Sequence, residues 1–419
     1  MMVRKFKLIP MVIAVASLPA LIASSAALAQ IGNSAAGIGG GSTVGGIASH
    51  ALSGISSAAA PKGPGLSRLP RTTTRIMPYA SASKPSAPAG NAGNSAQPGV
   101  GSQSYGTAVE GWPYSHQRVA VTGPNPGAST YAYQVPVTSR PYRFAGKLWM
   151  RFGGAWYVCT ASLVKKGVLI TAAHCVHNYG TGAAGFADEV RWYPANLNEA
   201  GGPWSYYTGS NVYIPAVYQN GTDTCQAGAV GVVCNNDIAT VVLPPRGPSY
   251  VGVGLGGWYS YGWNGYSYKR NSTAFGGATI AELTQIGYPV AWDYGYQMQR
   301  NNSFGKYIAS TATNNGKQLL NTQIGSPMSG GSSGGPWLVN FGTIPTLTNS
   351  SEASFGAYFQ RNTVVGVTSW GYIDNTINVQ GASWFGQNAE FPANAYGSYG
   401  AGNIGALMQR TCTANPAAC

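Results

Sequence analysis

From residue 147 onward the chain alternates between short apolar runs and polar breaks. The runs KLWMRF (147–152), WYVCTASLV (156–164), GVLITAAHC (167–175), VRWYP (190–194) and NVYIPAVY (211–218) open the series. DIATVVLP (237–244), LTQIGYPVAW (283–292), PWLVNF (336–341) and TVVGVTSWGY (363–372) continue it. Val, Ile, Tyr and Trp dominate these runs, and Gly, Asn or Pro separates most of them. Each is strand-length and either alternating or continuously apolar, and no long stretch keeps the 3.6-residue period of an amphipathic helix. Many short strands at such spacing predict an all-β sandwich or barrel. The folded region is read as starting near residue 141 and running to 411, with 412–419 as a C-terminal tail.

Upstream the pattern disappears. Residues 30–140 are mostly Gly, Ala, Ser and Pro, as in GIGGGSTVGG and SASKPSAPAGNAGNSAQPG, with few large apolar side chains. Such a composition buries too little surface to offset chain entropy, so this span is expected to be a largely disordered pro-region or spacer, making the chain a zymogen. Residues 1–29 have a basic start, an apolar stretch and Ala27-Leu28-Ala29 before Gln30. That is the layout of a secretory signal peptide with its cleavage site. No later segment is apolar enough to span a bilayer, so no membrane association is expected once the signal is removed.

Charge narrows the function classes. Only 8% of residues are charged, against ~25% in an average soluble protein. The formal net charge of +13 reflects 11 carboxylates rather than abundant cations. Arg4, Lys5 and Lys7 belong to the leader, and the remaining cations form no run longer than Lys165-Lys166 or Lys269-Arg270. A nucleic-acid partner is therefore not expected. Few carboxylates also means little stability lost when carboxylates are protonated, which would suit acidic surroundings.

The six cysteines, an even number, fit an oxidising compartment. They fall in sequence-local pairs, Cys159 with Cys175, Cys225 with Cys234 and Cys412 with Cys419, although 15 connectivities are open to six cysteines. With no CxxC spacing and only four histidines, neither a metal site nor a cofactor is expected.

Four motifs carry candidate chemistry. Thr171-Ala172-Ala173-His174-Cys175 follows a strand-like run, and a strand end beside a disulfide is a rigid mount for an imidazole acting as general base. His50 and His116 lie in or near the low-complexity span, which leaves His174 and His177 for a catalytic site. Asn236-Asp237-Ile238-Ala239 puts a carboxylate at the mouth of a buried strand, where it needs a partner to offset its desolvation. An imidazolium is a suitable partner, and the carboxylate would fix the ring tautomer. Gly330-Gly331-Ser332-Ser333-Gly334-Gly335-Pro336-Trp337 surrounds a serine with glycines and opens onto an apolar strand. Val365 to Tyr372 reads alone as an edge strand with an aromatic.

In one order and with suitable separations, TAAHC, DIA and GSSGGP resemble the trypsin/chymotrypsin-like serine peptidases. YRFAGKLWMRFGGAWYVCTASLV, ITAAHCV and MSGGSSGGPWLV are most similar to the bacterial V8-like, glutamyl-endopeptidase-related branch. The resemblance covers about residues 141–411. It implies two antiparallel six-stranded Greek-key barrels, 141–245 and 246–411, with the active site in the cleft between them. It implies a catalytic triad of His174, Asp237 and Ser333, and an oxyanion hole built from the N–H groups of Gly331 and Ser333. Ser369, Trp370 and Gly371 match the strand that pairs with substrate and lines the specificity pocket.

Departures from the pattern bound what carries over. Ser332 stands where the animal enzymes have the Asp that pairs with a new N-terminus, so that activation switch is not expected. A cysteine often found ahead of the nucleophile loop is absent from Ile324-Gly325-Ser326-Pro327-Met328. Pro327 occupies the position of a trypsin-like pocket Asp, and Thr368 lies near the place of the His of glutamyl endopeptidases. A neutral pocket for apolar or small side chains is the expectation that remains. The sequence thus predicts a monomeric serine endopeptidase, secreted to the periplasm or medium and acting on polypeptides. The alternative is a catalytically silent homologue that works as a binding or adhesion protein.

Overall fold

Twelve strands carry the architecture of the computed structural model. It describes residues 42–52, 79–80, 103–107, 113–119, 137–196, 203–226, 233–264, 269–270, 279–313, 316–342, 360–372 and 377–419. The expected leader and most of the expected spacer lie outside the described residues. The first six strands are β1 (Ala145–Phe152), β2 (Ala155–Lys165), β3 (Val168–Thr171), β4 (Glu189–Pro194), β5 (Asn211–Pro215) and β6 (Ala239–Val242). The second six are β7 (Thr279–Gly287), β8 (Gln299–Thr313), β9 (Lys317–Gly325), β10 (Pro336–Val339), β11 (Thr363–Tyr372) and β12 (Val379–Trp384).

Both sets are wound alike. The first six form an antiparallel sheet in the order β5-β6-β3-β2-β1-β4. The second six run β7-β10-β11-β12-β9-β8, and β8 pairs back onto β7, so that sheet closes on itself. Counted within its own set, each follows the cycle first-second-third-sixth-fifth-fourth, with the sixth strand returning beside the third as in a Greek key. The seam of the first sheet, between β4 and β5, is bridged where the Gly209 N–H donates to the Val190 carbonyl at 2.9 Å. The expected fold, two antiparallel six-stranded barrels of the chymotrypsin type, is the one observed.

The strand pattern explains the barrels. Alternate residues of a strand point to opposite faces. On β1, Leu148 and Met150 enter the main core, while Trp149 joins Val158 and Tyr193 in a separate aromatic cluster. β3 and β10 are buried along their whole length, as their unbroken apolar runs require. A 13-residue helix, α2 (Gly402–Ala414), follows the second barrel but packs on the first. Its Thr411 hydroxyl meets that of Thr240 on β6 at 2.7 Å, and Asn415 Nδ2 donates to the Tyr213 hydroxyl of β5 at 2.8 Å.

Two expected boundaries need correction. Residues 412–419 are not a loose tail: α2 runs through Cys412, Cys412 is bonded to Cys419, and the Ala418 carbonyl accepts the Gly167 N–H at 2.8 Å. Within the span expected to be spacer, Ile47–Ala51 pairs with β5, and Pro113–Arg118 pairs with β8. Ile47, Ala48 and Leu52 are buried in the first case, and Tyr114, His116 and Val119 in the second. These short apolar patches supply the packing that the Gly- and Ala-rich average conceals.

Candidate active site

Pairing of β3 with β6 brings the first two motif residues together. Ala239 lies opposite Thr171, so the chain leaving β3 and the chain entering β6 share one end of the barrel. His174 follows Thr171 on a four-residue helix, α1 (Ala173–Val176), and Asp237 precedes Ala239. A Cys159–Cys175 disulfide ties α1 to β2. Asp237 is fully buried, and three donors satisfy its carboxylate. The His174 ring donates from Nδ1 to Oδ2 at 2.7 Å, the His174 backbone N–H to Oδ1 at 2.8 Å, and the Ser369 hydroxyl to Oδ2 at 2.6 Å. A carboxylate surrounded only by donors holds the imidazole proton on Nδ1 and leaves the Nε2 lone pair free.

His174 is the histidine suited to this place. The His177 ring donates from Nε2 to the Gly182 carbonyl at 2.7 Å and packs on Phe186. His50 stacks on Phe186, and the His116 ring lies tilted against Trp292.

Ser333 arrives from the second barrel on the loop between β9 and β10. Its carbonyl accepts the Thr160 N–H of β2 at 2.8 Å. A Cβ on Gly334 would collide with Thr171 Oγ1 and the Ala172 N–H, so the loop lies against the segment that leads into His174. His174 Nε2 and Ser333 Oγ are both buried, and neither has a hydrogen-bond partner among the described residues. A buried polar atom left unsatisfied is costly in a native fold, and a catalytic role is one explanation for it.

The loop's carbonyls are all held. Gly330 C=O accepts the Val290 N–H at 2.8 Å, Gly331 C=O the Thr160 hydroxyl at 2.8 Å, and Ser332 C=O the Gly335 N–H at 2.8 Å. In a trans peptide the N–H points opposite to the carbonyl. The Gly331 and Ser333 N–H groups are thereby turned away from these anchors, and among the described residues neither has an acceptor. Gly331 has φ +95°, and a Cβ there would run into the Tyr288 carbonyl, so only glycine suits the position. Two open N–H donors beside a serine hydroxyl can stabilise an oxyanion as it forms.

Residues matched to the specificity region are placed less openly than the sequence suggested. Thr368 is buried, and its hydroxyl accepts from Gln285 Nε2 and Trp337 Nε1, each at 2.9 Å. The Ser369 side chain serves Asp237, and Trp370 is buried with its Nε1 on Asn321 Oδ1 at 2.6 Å. Gly371 is buried on β11, and the Pro327 carbonyl accepts the Trp292 Nε1–H at 3.0 Å.

Supporting residues were not legible in the motifs. Asp223, fully buried, accepts the Asn236 N–H at 2.8 Å, Asn236 Nδ2 at 2.7 Å and the Thr224 N–H at 2.8 Å, gripping the residue just before Asp237. Burial pushes the Asp223 carboxyl up to about 8, while the bonds from Asn236 pull the other way and nearby Glu390 adds to the rise. Asn388 and Asn403 hold the Asn236 side-chain oxygen from the far side, at 2.7 and 3.1 Å. The Cys225–Cys234 disulfide ties the segment just after Asp223 to the segment just before Asn236. Asn235-Asn236 ahead of the Asp was the one available signal; nothing near Asp223 in the sequence marked it.

Comparison with known proteins yields neither a matching family model nor a matching curated protein. The solved structures to which the chain is similar include a thermostable serine protease, AL20, from an extremophilic microorganism, at 22% identity over 58% of this chain and 92% of that one, TM-score 0.41. They include the protease Anisep from Arthrobacter nicotinovorans, at 24% identity over 58% and 91%, TM-score 0.40. A Glu endopeptidase in complex with MPD matches at 18% identity over 67% and 94%, TM-score 0.37. These neighbours are proteases.

Proposed function

We propose that the chain is an exported serine endopeptidase that cleaves polypeptides through an acyl-enzyme. The observation that carries this reading is the Asp237–His174 pair, with Nδ1 committed to the carboxylate and Nε2 without a partner among the described residues, as is the buried Ser333 hydroxyl. In the mechanism, His174 Nε2 takes the Ser333 proton as Oγ attacks the scissile carbonyl carbon. The carbonyl oxygen becomes an oxyanion received by the Gly331 and Ser333 N–H groups. The imidazolium, stabilised by Asp237, then protonates the departing amine, leaving an ester on Ser333. Water, deprotonated by His174, attacks that ester and regenerates the hydroxyl.

Three disulfides support the export reading, since they persist in oxidising compartments. No helix among the described residues is long and apolar enough to cross a membrane. The test is to treat the purified protein with a serine-directed fluorophosphonate and measure intact mass beside Ser333→Ala. One adduct on the wild type and none on the variant is expected. A folded wild type that forms no adduct and cleaves no peptide would overturn the reading in favour of a binding homologue.

A further inference from the structure

Thr160 of the first barrel bonds to the carbonyls of both residues that carry the candidate oxyanion donors. It lies on β2, directly after Cys159, and is fully buried. Its backbone N–H donates to the Ser333 carbonyl at 2.8 Å. Its hydroxyl donates to the Gly331 carbonyl at 2.8 Å and accepts the Tyr288 N–H at 3.0 Å. Its own carbonyl is fixed in turn by the Thr171 hydroxyl, at 2.8 Å.

The consequence follows from the order of peptide planes along the loop. The peptides carrying the Gly331 and Ser333 N–H groups flank the peptide whose carbonyl belongs to Gly331. Rotation of that middle peptide changes the angle between the two donors. Its N–H side is bonded to the Ser329 carbonyl at 3.1 Å, and its carbonyl side is held by Thr160 Oγ1. Glycine at position 331 lowers the barrier to such rotation, since it is free to adopt backbone angles closed to other residues. A loop with four glycines around two serines, Gly330, Gly331, Gly334 and Gly335, needs an external hold to keep two donors converged.

We infer that Thr160 is a positioning residue for the oxyanion hole: its hydroxyl sets the Gly331 peptide and thereby the convergence of the Gly331 and Ser333 N–H groups. This rests on the serine-peptidase reading above. Valine has the shape of threonine without the hydroxyl, so Thr160→Val keeps the packing and the backbone bond to Ser333 while releasing Gly331. Losing a whole oxyanion donor costs on the order of 100- to 1,000-fold in kcat, and a misaimed donor keeps part of its effect. Thr160→Val is therefore expected to lower kcat on a peptide substrate by roughly 10- to 100-fold with KM little changed.

The experiment measures kcat and KM for wild type, Thr160→Val and Thr160→Ser, together with affinity for a peptide boronate, whose adduct places an oxygen in the oxyanion position. The inference expects the boronate affinity of Thr160→Val to fall in parallel with kcat, and Thr160→Ser, which retains the hydroxyl, to stay within about threefold of wild type. If Thr160→Val does not fold, Thr160→Ala replaces it, with the same expectations. A folded Thr160→Val with wild-type kcat would overturn the inference, as would Thr160→Ser falling as far as Thr160→Val. A wild type inert to fluorophosphonate and peptide would instead sink the serine-peptidase reading and this inference with it, a result distinguishable from the other two.

Discussion

Asp237→Asn is the sharpest perturbation of the proposed mechanism, because the structure dictates how an amide must sit there. Oδ1 accepts the His174 backbone N–H at 2.8 Å, and a backbone donor cannot reverse its role. The amide nitrogen of Asn would therefore take the Oδ2 position, which now accepts from His174 Nδ1 and the Ser369 hydroxyl. Ser369 can rotate to become an acceptor. The imidazole can meet an N–H donor only by presenting a bare Nδ1, and that tautomer carries its proton on Nε2. The group meant to take the Ser333 proton would then already hold one.

Volume and packing are unchanged by this substitution, so the protein should fold and bind substrate as before. In a well-characterised triad of this type the same exchange lowers kcat about 10⁴-fold, and a similar loss is expected here. That corresponds to about 5 kcal/mol of transition-state stabilisation. The assay is kcat and KM on a peptide substrate from neutral to alkaline pH, with fluorophosphonate labelling rates alongside. Unchanged KM and a kcat reduced by three to four orders of magnitude would fit. Retention of more than about a tenth of the activity would refute the assignment of Asp237 as the residue that sets the His174 tautomer.

The remaining predictions probe other parts of the structure. Replacing Cys159 and Cys175 by serine opens a loop with a sequence separation of 16, for which about 3 kcal/mol of stability is expected to go, a fall in Tm of roughly 6–12 °C by calorimetry. Gly331→Ala, at φ +95° and facing the Tyr288 carbonyl, should cost at least about 100-fold in kcat while circular dichroism shows an intact fold; near-normal kcat would count against the oxyanion role. His116 is buried against Trp292, and burial lowers its pKa to about 3, with Asp293 acting weakly against that. Below pH 6.5 the unfolded chain takes up a proton that the folded chain refuses, so this group's stabilisation is complete above pH 6.5 and is lost as pH falls towards 3. Urea unfolding at pH 7 and pH 4 should show a smaller decline for His116→Phe than for wild type, and an identical decline would rule the group out.

How much of this could be seen in the sequence depends on where the information lies. The strands were legible because Val168 to Ile170 and Pro336 to Val339 are continuously apolar and end at Gly or polar breaks. The candidate site was legible because His174, Asp237 and Ser333 each sit in a short motif next to a strand end. The strands at 47–51 and 113–118 were not, since each depends on an edge supplied by β5 or β8 far along the chain. Averaged composition cannot reveal a partner edge. Thr160 and Asp223 were missed for a related reason: a threonine after a cysteine and an aspartate in a polar loop acquire meaning only when folding sets them against Gly331 and Asn236. His116 was set aside with the low-complexity span, and its ring packs on Trp292, 176 residues away.

The nucleophile loop is supported without charge. Ser332 occupies a buried place next to Ser333, and its hydroxyl donates to the Ser329 carbonyl at 2.6 Å and accepts from Gln380 Nε2 at 3.3 Å. Gln380 Nε2 also donates to the Met328 carbonyl at 2.7 Å, and its side-chain oxygen accepts from Gln285, whose own oxygen accepts the Ser326 hydroxyl at 2.7 Å. The loop is thus braced from beneath by neutral amides and hydroxyls. An Asp at 332 would be a buried charge needing a counter-ion, and the described residues around it offer none. A neutral brace has no such need. It also has no proton to gain or lose between pH 3 and 9, because amides and hydroxyls do not titrate there. The loop should therefore keep its shape as pH falls through that range. Intrinsic fluorescence of Trp337, fully buried on β10 and hydrogen-bonded to Thr368, offers a local probe of that shape by comparison with Trp337→Phe. A Trp337 signal that changed over that range would mean that the amide brace is not independent of the ionising groups around it.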